Sequence, residues 1–182
     1  MMCFLSVTVS KEPCGEYYAS ILVEEDTHIL SRTERAVGID VGLKTFGTFS
    51  DNRPDIENPR FFNENQVKLK KVQQHLSRKQ KGSNRREKAR LKVAKVHSKI
   101  KKQRQHFLHN ISINLIRDYD LICIEDLDIS GIKKKKKLSK GVSDVAWGEF
   151  FRMLEYKAKW YGKFIQKIDR YYPSSKTCTC GH

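Results

Sequence analysis

Asp40 and Glu125 are the two residues of this chain whose type and placement suit chemistry best. Asp40 closes the apolar run AVGID, and Glu125 closes the apolar run LICIE. A carboxylate beside buried β-branched side chains is desolvated, so it must find a cation or a hydrogen bond. If the two runs are neighbouring strands, the carboxylates converge at the strands' carboxyl ends. Such a pair of hard oxygen donors suits Mg²⁺ (or Mn²⁺) and phosphodiester chemistry. Either acid taken alone has a plainer reading, as a strand-end cap or an ion-pair partner of Lys44. Asp126 is a competing ligand, although strand alternation points it to the face opposite Glu125.

The charge distribution supplies a substrate class. The formal net charge is +15, from 36 Lys/Arg and 21 Asp/Glu. Between Arg60 and Arg104 stand 17 Lys/Arg and two acids, Glu64 and Glu87, so this stretch alone accounts for the whole excess. A lysine-rich helix is often no more than a solvated face. Here the signs are not mixed, so residues one turn apart cannot neutralise one another, and the arm repels itself unless a polyanion covers it. Phosphate backbones are the usual cover, with binding that weakens steeply as salt rises. The candidate contacts are Lys79, Lys81, Arg85, Arg86, Lys88, Arg90, Lys92, Lys95, Lys99, Lys101, Lys102 and Arg104. The histidines in and just beyond this stretch, His75, His97, His106 and His109, read as surface positions or phosphate contacts rather than metal ligands. Trp147 and the aromatics near it read as core.

The elements that must position these residues follow from periodicity. FLSVTVS and GEYYASILVEE, separated by Pro13, Cys14 and Gly15, form a β-hairpin. AVGID and LKTFGTFS form a second, buried hairpin turning at Gly42, and RFF at 60–62 begins a third strand. Val67, Leu69, Val72 and Leu76, then Ala89, Val93, Val96, Ile100, Phe107, Ile111 and Leu115, fit two antiparallel helices broken at KGSN. LICIED is a buried strand, ISGIKKKKKLSKGVSD a low-complexity basic loop, 145–161 an amphipathic helix and KFIQKID a last strand. The class is α/β. A three-strand meander followed by helix–strand–helix–strand matches the ribonuclease H-like arrangement, in which the first-strand Asp and the fourth-strand Glu are neighbours. Five cysteines, with Cys123 inside an apolar strand, fit a reducing cytoplasm rather than a disulfide framework. No signal peptide is visible, and no apolar run approaches the ~20 residues of a spanning helix, so a cytoplasmic location is expected.

GIDVGLKTFGTFSD, the basic helical hairpin, LICIEDLDISG, WGEFFRMLEYKAKWYGKFI and the terminal PSSKTCTCG together resemble the TnpB (OrfB) proteins of bacterial insertion sequences. These are compact relatives of the type V CRISPR effector nucleases. The resemblance covers almost the whole chain, with the motifs in the family's order. It implies an RNA-guided DNA endonuclease that takes its guide from the transposon end, with DNA as target. It also implies a RuvC-like centre of three acids and divalent metal, in which Asp40 matches the first acid and Glu125 the second. Residues 1–33 are then a hairpin remnant of a wedge domain. Residues 34–172 are the RuvC-like nuclease domain, with a basic helical insertion at about 63–117, and residues 173–182 are the start of a zinc ribbon.

Two departures qualify that expectation. The family's third acid lies in a helix beyond the zinc module, and none of Asp144, Glu149 and Asp169 has that context. The zinc module is represented by Cys178 and Cys180 alone, a C-x-C where the family has two C-x-x-C pairs. A structural zinc site wants four ligands, so zinc is not expected in this chain by itself. The resulting expectation is a copy truncated at both ends and catalytically impaired. Its alternative is a non-catalytic nucleic-acid-binding remnant that regulates transposition.

Overall fold

The computed structural model describes residues 3–134 and 145–169. The chain divides into two compact units, one of Met1–His28 with Pro59–Leu108 and one of Ile29–Asn58 with His109–His182.

In the first unit, β1 (Cys3–Lys11) pairs antiparallel with β2 (Tyr17–Glu24). Gly15 turns the chain between them at φ 88°, where a side chain would be strained, and returns its N–H to the Glu12 carbonyl at 2.8 Å. The register sets Val7 opposite Ile21 and Val9 opposite Ala19, which places these apolar pairs on one face of the ribbon. Helices α1 (Phe61–Ser77) and α2 (Asn84–Asp118) follow; α2 passes into the second unit from His109 onward. Their seam is Leu69 against Val96 and Ile100, flanked by Phe61, Phe62, Val72 and Val93. At one end the Phe61 and Phe107 rings meet edge-on with centroids 5.9 Å apart. At the other, the Arg86 guanidinium donates to the carbonyls of Leu76 and Lys79 at 3.2 and 3.0 Å, closing orphan acceptors at the end of α1. The two helices therefore run antiparallel.

One expected strand is displaced. RFF does not begin a third strand: Phe61 and Phe62 open α1, and the strand is the two-residue β5 (Ile56–Glu57) just upstream. The rings of Phe61 and Phe62 find partners on the helical seam, and that packing outweighs the local β preference of an aromatic pair.

In the second unit, β3 (Ala36–Asp40), β4 (Thr45–Phe49), β6 (Leu121–Glu125) and β7 (Phe164–Ile168) join β5 in one mixed sheet of order β5-β4-β3-β6-β7. Neighbours β3 and β4, and β4 and β5, are antiparallel, whereas β3 with β6 and β6 with β7 are parallel. The basic loop expected after LICIED opens as a short helix, α3 (Ile129–Lys134), and its residues 135–144 lie outside the described residues. Helix α4 (Trp147–Tyr161) buries Phe150, Met153 and Leu154. The core adds Val37, Ile39, Phe46, Ile122 and Ile124 from the sheet and Ile111, Leu115 and Ile116 from the end of α2. Phe46 and Phe150 meet edge-to-face, with ring centroids 5.1 Å apart. Gly162 closes α4 at φ 69°, and a Cβ there would stand 2.7 Å from Ile29 Cγ2.

Asp120 ties the strand entries together. Its Oδ2 accepts the backbone N–H groups of Thr33 and Glu34 at 2.8 and 2.7 Å, and its Oδ1 accepts Lys163 Nζ at 2.5 Å. Its own N–H donates to the Arg35 carbonyl and its carbonyl accepts the Phe164 N–H, each at 2.8 Å. Lys163, whose side chain is 1% exposed, also donates to the Ser31 carbonyl. The approaches to β3, β6 and β7 thus start from one level. The buried ammonium of Lys163 holds the Asp120 carboxyl down at about 2.

A carboxyl depressed in this way contributes stability that is complete above its unfolded value. That stability is lost as pH falls from about 4 through about 2. Asp120→Asn is expected to flatten this acid limb, read as the thermal midpoint by circular dichroism across that range. Phe150→Ala, which empties the centre of the second unit, is expected to cost about 3–5 kcal/mol in denaturant unfolding.

Candidate functional site

The parallel register of β3 and β6 sets Ile39 beside Ile124. Asp40 and Glu125 follow one residue later, so the two acids end adjacent strands at the same level. Ile39 and Ile124 are buried, and the period of two turns Asp40 and Glu125 to the opposite face. Asp40 is exposed and Glu125 half-buried. Among the described residues neither carboxylate has a hydrogen bond or ion pair, and Lys44 pairs with neither. Two hard oxygen donors set side by side without a neutralising cation are a donor set that fits a divalent ion.

Among the described residues no third acid brings a ligand atom into a cluster with this pair. Asp126 continues the ladder past β6, donating its N–H to the Ile168 carbonyl at 3.0 Å. Glu149 is engaged by Arg152 on α4 at 2.6 and 3.0 Å. Asp169 follows Ile168, the residue in register with Glu125, and is exposed. Asp144 lies outside the described residues, as do Cys178 and Cys180. Among the described residues, no set of three or more acids, Cys or His containing Asp40 and Glu125 draws its ligand atoms within 4.8 Å of one another.

The basic residues sort into engaged and free. Arg86 is the cap on α1 described above, and Arg90 pairs with Glu87 at 2.8 Å one turn back. Lys101 and Lys102 reach the hairpin turn, binding Glu12 at 2.8 Å and Glu16 at 2.7 Å. Lys102 together with the Tyr18 hydroxyl holds the Glu16 carboxyl at about 2. Arg104 is half-buried. Among the described residues no ion pair engages Lys79, Lys81, Arg85, Lys88, Lys92, Lys95 or Lys99.

Sequence reasoning missed the turn acids. Glu12, Cys14 and Glu16 bring one ligand atom each within 4.8 Å of the others, with Cys14 Sγ 3.7 Å from Glu12 and 3.4 Å from Glu16. The E-x-C-x-E spacing was visible, but its lysine partners lie 86 and 89 positions away, beyond any local pattern.

Comparison with known proteins shows the family. The IS605 OrfB family model, described as "Probable transposase", matches residues 20–136. The chain belongs to the OrfB (TnpB) family. A second model, "Cas12f1-like, TNB domain", matches residues 147–182. A relative from Streptomyces pristinaespiralis named "Putative RNA-guided DNA endonuclease" is 44% identical over 177 residues, covering 97% of this chain and 44% of that protein. The Escherichia coli (strain K12) protein named "Putative RNA-guided DNA endonuclease InsQ" is 32% identical over 193 residues, covering 97% of this chain and 48% of that protein. The chain thus spans less than half the length of these curated relatives. Among solved structures, a chain of a Cas12f1–sgRNA–target DNA complex is similar in fold, with TM-score 0.56 and 17% identity over 91% of this chain and 35% of that one. Among the described residues no helix is long and apolar enough to cross a membrane.

Two unpaired carboxylates at neighbouring strand ends repel each other in the absence of a cation. Asp40→Asn is therefore expected to be neutral or stabilising in chelator. If the pair binds Mg²⁺, millimolar Mg²⁺ is expected to raise the Tm of the unsubstituted chain and Asp40→Asn to remove that rise, as measured by differential scanning fluorimetry.

Proposed function

We propose that the chain carries the central part of an RNA-guided DNA endonuclease, with Asp40 and Glu125 as two acids of a RuvC-like centre. The observation that carries this reading is the pair itself, adjacent in register on neighbouring parallel strands and without a protein cation. The strand order, with β3 central between an antiparallel β4 and a parallel β6, supports a ribonuclease H-like sheet interrupted by the basic helices between β5 and β6. On this reading residues 1–33 are the end of a wedge domain, 34–172 the nuclease domain and 173–182 the start of a zinc ribbon. The relatives' names, and the guide RNA and DNA in the complex of similar fold, support RNA and DNA as the two partners.

Asp40 and Glu125 would hold the metal, Mg²⁺ or Mn²⁺, through carboxylate oxygens on the face of the sheet away from Ile39 and Ile124. When bound, such an ion polarises the phosphoryl oxygen and lowers the pKa of a bound water. The chain's own contribution is placement: β3 and β6 fix both donors on rigid strands. The free lysines and Arg85 of α2 and of the turn before it hold phosphates without reading bases. Sequence reading is left to guide pairing. Cys178 and Cys180, the candidate zinc ligands, lie outside the described residues.

A second reading is a nucleic-acid-binding protein without cleavage. It is favoured by one observation, that no third acid joins Asp40 and Glu125 among the described residues. The two separate in one experiment, with guide RNA and target DNA supplied and Mg²⁺ present. On the nuclease reading the chain cuts, and Asp40→Ala or Glu125→Ala lowers cutting by more than about a hundredfold, since even residues that merely orient metal ligands are worth that much. RNA binding stays unchanged in both variants. No cutting by the unsubstituted chain, with salt-dependent binding that falls on Arg85→Gln and Lys88→Gln, leaves the second reading standing.

A further inference from the structure

Helices α1 and α2 enclose a notch of about 260 Å³ lined by Asn65, Lys68, Val72, Lys92, Lys95, Val96 and Lys99. Each helix contributes a stripe at its own period: 65, 68 and 72 from α1, and 92, 95, 96 and 99 from α2. The floor is apolar, Val72 and Val96, packed on the Leu69 seam. Asn65 is 7% exposed and anchored by its Nδ2 to the Phe61 carbonyl at 2.8 Å. Four lysines and no acid line this one concavity, and among the described residues none of the four has an ion pair. Elsewhere on α2 three cations have acids, Glu87 for Arg90, Glu12 for Lys101 and Glu16 for Lys102, while Arg85 and Lys88, outside the notch, have none among the described residues. The lysines of the notch were given no such partner by the fold.

Four exposed lysines around one notch favour a ligand that brings more negative charge to one place than a passing backbone supplies. An internal phosphodiester brings a single charge, and the next one lies a nucleotide further on. A terminal phosphate monoester carries about −1.5 to −2, and a triphosphate adds further charges within the same compact group. Lysine is suited to such a ligand as a point charge on a flexible stem, with no bidentate geometry to satisfy.

We propose that this notch binds a terminal polyphosphate, the group carried by the 5′ end of an unprocessed RNA and by free nucleoside triphosphates. The proposal rests on the nucleic-acid reading above and adds end recognition to it. Lys68 and Lys95 face the ligand from the two helices, with Lys92 and Lys99 beside Lys95 on α2.

The test is the affinity of the full chain for one RNA sequence prepared with a 5′-triphosphate or a 5′-hydroxyl, at fixed salt. The triphosphate form is expected to bind at least about tenfold tighter, one charge-assisted hydrogen bond being worth that factor. Lys68→Gln with Lys95→Gln is expected to bring the ratio to unity. Arg85→Gln with Lys88→Gln is expected to weaken both forms alike and preserve the ratio. Equal binding of the two forms by the unsubstituted chain overturns the proposal, as does a ratio that survives Lys68→Gln with Lys95→Gln. Binding of neither form overturns the nucleic-acid reading itself, so the two failures are distinct. Competition identifies the source. Displacement of the triphosphate RNA by ATP and by inorganic tripolyphosphate alike supports a notch filled by free polyphosphates. Displacement by neither, with the ratio intact, supports a notch specific for the RNA end.

Discussion

The carboxylate of Asp120 gathers the N–H groups of Thr33 and Glu34 and the ammonium of Lys163, while its own backbone binds Arg35 and Phe164. Those five residues are the approaches to β3 and β7, and Asp120 itself is the approach to β6. Parallel strands have no tight turn to set their register, so something at their ends must do it. Here that is one acid with both oxygens and both backbone groups engaged. Because β3 and β6 leave Asp120 at the same level and both run five residues, Asp40 and Glu125 arrive side by side. A slip of one residue would send one of the two carboxylates to the core face.

The first unit solves a different problem. A helical pair with so many cations has only a thin apolar seam, Leu69 with Val96 and Ile100, to hold it together. Part of the charge is turned to structural use: Arg86 caps α1, and Lys101 and Lys102 hold the turn of the β1–β2 ribbon through Glu12 and Glu16. What remains, Lys79, Lys81, Arg85, Lys88, Lys92, Lys95 and Lys99, has no ion pair among the described residues. Such a surface is least costly when a polyanion lies on it. Burial and pairing thus distinguish which cations belong to the fold and which are available to a ligand.

Much of this was legible in the order of residues. Alternation and β-branching marked AVGID and LICIE as strands, and the spacing from Val67 to Leu115 marked two helices broken at KGSN. RFF misled because an aromatic pair has high β preference, and only contact with Phe107 and the Leu69 seam makes Phe61 and Phe62 helical. The structural duties of Arg86, Lys101 and Lys102 were equally hidden. A cation's partner across tens of residues leaves no trace in local composition, so all twelve basic candidates looked alike.

The sequence by itself determined the family, the strand-end position of the two acids and the place of the charge excess, because these depend on residue type and local period. Only the tertiary structure decided that Asp40 and Glu125 share a level and a face, since that follows from pairing between strands 85 residues apart at their starts, with Leu121 beside Ala36 there and Ile39 beside Ile124 near their ends. Only it decided which lysines are free, because neutralisation is settled by which acids the fold brings near them.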